Sequence, residues 1–189
     1  MPLLESAPQR MRFTRERFDA MIAAGVLQED DRVELMDGEI YSQRPPGSRH
    51  IARTMRIQKC LEQLIGSKAL ISVQNPIALG ELSEPQPDVA VLKLAKDFYE
   101  SRLPECEDIL WVVEVSDSTL AFDRNVKLPR YAAGRIPEVW IMDVELNHLT
   151  IYRAPEKERY LERTVYAKGS RIPLAAFPGR MLLAEDLGL

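Results

Sequence analysis

The chain has 189 residues, 46% of them hydrophobic and 29% charged, with a formal net charge of −4. That length suits one domain over residues 1–189 with a core at about 13–185, and the composition is ordinary for a soluble globular protein. Cys60 and Cys106 are too few for a disulfide framework or a zinc site, and no apolar run approaches the roughly 20 residues that cross a bilayer.

The opening Met1-Pro2-Leu3-Leu4-Glu5-Ser6 lacks a charged stretch followed by an apolar one, so the expected location is the cytoplasm. Thr14 is placed to cap a helix running to about Ala24, with Phe18, Met21 and Ile22 on its apolar face and Gly25 ending it. Arg32 to Met36 and Glu39 to Tyr41 flank Asp37-Gly38, a strong two-residue hairpin signal. After the loop Pro45-Pro46-Gly47, Ser48 is placed to cap a long helix reaching about Ile65. Leu70 to Gln74 and Ile77 to Leu79 read as short strands around Asn75-Pro76.

The most informative stretch comes next. Ile109-Leu110-Trp111-Val112-Val113-Glu114-Val115 reads as a strand buried on both faces with one carboxylate set into it. A dry, ionised, unpaired carboxylate costs several kcal/mol, so Glu114 has to be neutralised, paired or bound to a cation. Asp88 introduces another such run, Val89-Ala90-Val91-Leu92, with an irregular piece near Lys93 to Glu100 between the two. If the runs pair antiparallel, Asp88 and Glu114 converge at one sheet edge with room for a divalent cation.

Beyond Ser116-Asp117-Ser118-Thr119 comes a helix containing Arg130, Tyr131 and Ala132, ended by Gly134. Val139 to Asp143 is a further core strand, and His148 to Tyr152 with Tyr160 to Tyr166 resembles a terminal meander. Alternating helices and strands of this kind make a mixed sheet with helices on its faces.

Lys127 is spaced to return an ammonium toward Glu114, and Glu34 alternates against its apolar neighbours Val33 and Leu35. Spacing alone leaves both equally readable as surface charges. No Gly-x-Ser-x-Gly elbow surrounds Ser116 or Ser118, which argues against serine hydrolase chemistry. A sequence pI of about 5.4 argues mildly against a nucleic-acid partner. Yet Arg49, Arg53, Arg56 and Lys59 form a stripe along the second helix, which is either a solvated face or a phosphate-contacting one. Arg124 and Arg130 are further phosphate-clamp candidates.

The ordered series Glu34-Leu35-Met36-Asp37-Gly38-Glu39, His50, Gln86-Pro87-Asp88-Val89-Ala90-Val91, Val113-Glu114-Val115-Ser116, Ser118-Thr119, Asp123, Lys127, Tyr131-Ala132-Ala133-Gly134, Glu138-Val139-Trp140 and Asp143 resembles the PD-(D/E)XK nuclease superfamily. Within it the chain looks most like a bacterial family of restriction-endonuclease-like proteins long catalogued as a domain of unknown function. The resemblance runs from about Phe13 to Leu189. It implies an α/β (α+β) fold, a restriction-endonuclease-like core whose central mixed sheet is flanked by helices, with an N-terminal helix and hairpin.

It also implies a metal-dependent nuclease acting on DNA, with Asp88 and Glu114 binding Mg²⁺ (Mn²⁺ being possible) and Glu34 in support. The lysine of the simplest motif would stand at Ser116; Lys127 matches its migrated form on the next helix. A homodimer is expected by the same analogy, since two sites cut two strands. Pro129 departs from the family's uninterrupted helix, so that helix is expected to start near Asn125 or later, or to be kinked. Two other readings stay open. One is a catalytically silent member that binds DNA or a protein; the other is an unrelated small-molecule-binding α/β protein.

Overall fold

The computed structural model describes residues 10–189; the segment Met1–Ser6 lies outside them. Its centre is a six-stranded sheet in the order β3-β4-β5-β6-β7-β8, formed by Leu70–Val73, Val89–Leu92, Ile109–Ser116, Glu138–Asp143, His148–Glu156 and Arg159–Tyr166. All neighbours are antiparallel except β5 and β6, which run parallel. A parallel pair needs a crossover, and a helical segment after β5 supplies it.

Period-two alternation divides the core. Trp111, Val113 and Val115 of β5 join Val89, Val91 and Trp140 on one face, against Ile57, Leu61 and Ile65 of α2 (Ser48–Ile65). Val112 joins Ala90, Val139 and Ile141 on the other, under Tyr131 and Ile136. All of these apolar residues are buried. Glu114 belongs by alternation to the second face, so the chain sets one acid among the side chains that pack there.

Before the sheet come α1 (Arg15–Ala23) and the hairpin of β1 (Val33–Met36) and β2 (Glu39–Ser42). Thr14 caps α1 by accepting the Arg17 amide at 3.3 Å, and Phe18 is its buried residue. Ile22, expected on that apolar face, is exposed, because so short a helix presents only a narrow stripe to the protein. Asp37 and Gly38 both take positive φ, 52° and 77°, as a two-residue primed turn requires. A Cβ on Gly38 would stand 2.6 Å from Arg12 Cβ, so the turn also clasps the segment before α1.

Several local expectations change. Gly47 occupies the cap of α2 and Ser48 is its first helical residue. Ile77 to Leu79 is buried and its amides bond the Pro85, Pro104 and Ser83 carbonyls, yet it forms only an isolated bridge from Ala78 to Glu105, because Pro85 and Pro104 have no N–H to donate in return. Two three-residue strands, β9 (Arg171–Pro173) and β10 (Met181–Leu183), pair near the C-terminus.

The helix after β5 starts earlier than Pro129 suggested. It runs through α3 (Leu120–Phe122), a π turn (Asp123–Lys127) and α4 (Leu128–Ala133). Pro129 has no N–H to close an α-type bond to the fourth residue back, and just before it the Leu128 amide reaches the Asp123 carbonyl five residues back. The chain therefore absorbs the proline as a bulge. Among the described residues no helix is long and apolar enough to cross a membrane.

Candidate active site

The β4–β5 register pairs Val89 with Val113, which brings Asp88 to the end of β5. Asp88 Oδ2 accepts the Val115 amide at 2.7 Å, and its Oδ1 lies 2.9 Å from His50 Nε2 at the start of α2. Both carboxylate oxygens are thus held. Burial works against the protonated form of His50, but the hydrogen bond and charge of Asp88 outweigh it and raise its pKa.

Glu114 is only 2% exposed, and Lys127 is 3% exposed. Lys127 Nζ stands 3.2 and 3.3 Å from the two Glu114 oxygens, 3.1 Å from Glu34 Oε2 and 3.3 Å from the Gln86 carbonyl. Neither Lys127 nor Glu34 is the surface charge that spacing alone allowed. Gln43 Nε2 donates to the other oxygen of Glu34 at 3.3 Å, and the Tyr131 hydroxyl donates to Glu114.

Burial pushes the carboxyls of Glu114 and Glu34 upward, Glu114 strongly, while Lys127 pulls both back. For Lys127 the balance has the other sign. Desolvation opposes its charge, but the attraction of Glu114, Glu34, Asp123 and Asp88 together outweighs it and raises its pKa. The ammonium therefore stays charged across the physiological range.

Two members of the cluster had no role assigned from the sequence. Asp123 is buried, and its Oδ2 accepts from Ser116 Oγ at 2.7 Å and Thr119 Oγ1 at 2.6 Å. Burial raises its carboxyl, against the charge of Lys127. Tyr131, the second, has its hydroxyl raised well above the ordinary range by burial and by Glu114. The signal was present: Asp123, Lys127 and Tyr131 recur every four residues and so share one helical face.

These groups open onto a cleft walled by Arg32, Gln43, Arg44, Gly47, Gln74, Asp117 and Ser118, with Glu34, Asp88, Glu114 and Lys127 also in its lining. The six basic residues proposed for phosphate contact do not line it. Arg49 pairs with Asp117. Arg53 is drawn to the C-terminal segment, donating to the Leu187 carbonyl at 3.2 Å, to Gly188 and to Asn147 Oδ1 at 2.8 Å. Arg130 is held by Asp37 and Glu158. Arg56 and Lys59 are exposed on the outer side of α2, where they line a groove with Glu185 and Asp186, and Arg124 is partly buried. Only the N-terminal end of α2 reaches the cleft, so a stripe running down that helix leads away from it.

The six-stranded mixed sheet with its flanking helices matches a restriction-endonuclease-like nuclease fold. The solved structure of a putative nuclease belonging to DUF820 from Anabaena variabilis ATCC 29413 is similar over 93% of this chain and 97% of that one, with a TM-score of 0.72. At 16% identity the likeness is one of fold. The family model described as "Putative restriction endonuclease" (Uma2) matches residues 15–185, and the chain belongs to that family. Among curated proteins nothing matches the chain.

Proposed function

We propose that this protein is a divalent-metal-dependent nuclease that hydrolyses phosphodiester bonds of DNA, with Asp88, Glu114, Lys127 and Glu34 as its site. The observation that carries the reading is the buried Lys127 ammonium between Glu114 and Glu34 at the inner end of the cleft.

Among the described residues no group of three or more His, Cys, Asp or Glu side chains is arranged to hold a metal. The donors still fit Mg²⁺ or Mn²⁺. They are hard carboxylate oxygens on one sheet face, and Mg²⁺ is commonly held by one or two carboxylates while keeping several waters. Asp88 and Glu114 would hold the ion, which when bound supplies a Lewis acid and lowers the pKa of water.

The chain's own groups set the rest. Val115 N–H and His50 fix the Asp88 rotamer, and the Tyr131 hydroxyl orients Glu114. Because its pKa is raised, Lys127 is no general base; its role is to stabilise charge developing on the phosphate. Glu34 holds Lys127 through a second ion pair at 3.1 Å.

A second reading, a nuclease-fold protein that binds DNA or a protein partner without cutting, draws on one feature. Both Glu114 oxygens already face Lys127, so an ion has to displace that pair to bind. One assay separates the two readings. Relaxation or linearisation of supercoiled plasmid in Mg²⁺ or Mn²⁺ by the wild type, lost in Asp88→Ala, supports the nuclease. No turnover by pure wild-type protein with either ion overturns it.

A further inference from the structure

Two cleft residues lie outside the acid–lysine cluster and have no intramolecular partner among the described residues. Arg32 directly precedes β1, and Arg44 comes two residues after β2. The Gln43 amide donates to the Arg32 carbonyl at 2.8 Å, so the hairpin pairing continues one residue past its strands, with Arg32 opposite Gln43 and Arg44 the next residue along at the open end. Both are exposed, both line the cleft, and neither has a side-chain hydrogen bond or an acidic partner within 4.0 Å among the described residues. Acids lie in the same cleft, yet neither guanidinium pairs with one.

The backbone holds both arginines in place. Arg32 takes φ 48° and ψ 63°, a left-handed conformation that a residue with a Cβ adopts at a cost. Arg44 precedes Pro45 and Pro46, which restrict its backbone to extended conformations and stiffen the loop leading into α2. Strain on one side and proline on the other present two guanidiniums at the cleft mouth. A planar guanidinium is suited to bidentate contact with phosphate oxygens.

We propose that Arg32 and Arg44 form a phosphate clamp, which takes a backbone phosphate of a nucleic-acid strand next to the scissile one. The inference rests on the nuclease reading and names the side from which the strand enters: over the open end of the β1–β2 hairpin and not along α2.

The test is fluorescence anisotropy of a labelled oligonucleotide duplex with Ca²⁺ in place of Mg²⁺, over a series of salt concentrations, and then plasmid cleavage kinetics in Mg²⁺. Arg32→Gln with Arg44→Gln should weaken binding at least tenfold. It should also lower the salt dependence by close to one contact per arginine, a log–log slope change of about 0.9 for each. In cleavage the change should appear in KM, with kcat largely kept. The charge-matched control is Arg163→Gln with Lys168→Gln, on and beside the far edge strand β8, and it should keep the wild-type slope.

Arg32→Asn gives a second readout. Asparagine tolerates the left-handed conformation better, so this variant should bind more weakly while melting no lower than wild type. Wild-type slope and KM in the double glutamine variant, in a protein that binds and cuts DNA, would overturn the clamp alone. A wild type that neither binds nor cuts overturns the nuclease reading and the clamp with it.

Discussion

Lys127 and Glu34 meet at 3.1 Å in the interior, one from the helix after β5 and the other from the N-terminal hairpin. Glu114 closes the triad from the middle of the sheet, 3.2 Å from the same ammonium. Three distant stretches of chain are thereby tied through a single buried charge.

Lys127→Met is the sharpest probe of that tie. Methionine keeps much of the volume but leaves Glu34 and Glu114 without their cation, and breaking a buried pair costs about 3–5 kcal/mol. The variant should unfold at distinctly lower denaturant concentration, and plasmid cleavage should fall by orders of magnitude. Wild-type cleavage by a folded Lys127→Met protein would remove the lysine from the chemistry.

Metal should stabilise the protein. If Asp88 and Glu114 hold an ion, Mg²⁺ at about 100 times its Kd adds about 2.7 kcal/mol to the folded state. Scanning calorimetry at neutral pH should show Tm rising with Mg²⁺ or Mn²⁺, and Asp88→Ala should abolish the rise. A melting curve that ignores millimolar metal counts against the site, whatever the fold.

Asp123 tests positioning. Two hydroxyls donate to its Oδ2, and Asp123→Ala strands both, at about 1–3 kcal/mol for each that stays buried and unsatisfied. Stability should drop by that order. Because Asp123 lies in the π turn ending at Lys127, kcat should fall more than KM rises. Asp123→Asn, whose amide oxygen can still accept both bonds but carries no charge, should recover part of both losses.

Glu84 gives a pH signature away from the cluster. Burial and the charge of Asp19 raise its carboxyl above 4.5, against Arg15 at 3.2 Å. For a group raised in the folded state, the contribution to stability is complete below its unfolded pKa and is lost as pH rises through the folded one. Glu84→Gln should therefore gain in Tm relative to wild type between pH 4 and pH 8. A gap constant with pH would mean that Glu84 titrates normally.

Gly38→Ala tests the turn that carries Glu34. A left-handed alanine costs about 1–2 kcal/mol by itself. The new methyl would also stand 3.0 Å from the Phe13 amide and carbonyl, as well as against Arg12. Chemical denaturation should show a loss above about 2 kcal/mol if the backbone there cannot move aside.

Local rules with a strong physical cause were legible in the sequence. Asp37-Gly38 marked the hairpin because positive φ at two successive residues selects such pairs, and Glu114 stood out because nothing polar belongs inside so apolar a strand. Antiparallel pairing of their two runs was the ground for bringing Asp88 toward Glu114, and β4 and β5 do pair that way. What failed depended on partners that no local pattern reveals. Ile77 to Leu79 has the look of a strand and is buried like one, and its amides bond the Pro85, Pro104 and Ser83 carbonyls, but two of those partners are prolines with no N–H to return. The π turn was hidden because Pro129 signals that an α-type bond is missing and not how the chain makes up for it. How the basic stripe on α2 lies relative to the cleft is likewise a matter of tertiary packing, which brings only the N-terminal end of the helix to it.

The single parallel pairing, β5 with β6, bears on when the charged cluster can exist during folding. Hairpins such as β1–β2 and β7–β8 join residues close in sequence, whereas pairing β6 with β5 requires the crossover carrying Lys127 to fold back over the sheet. Until then Glu114 sits on an open strand edge, hydrated and free of the ammonium. Its interior position becomes tolerable only when that loop closes. Assembly of the charges is thus as cooperative as the final docking step, and a nascent or partly unfolded chain carries the residues of the site without the site itself.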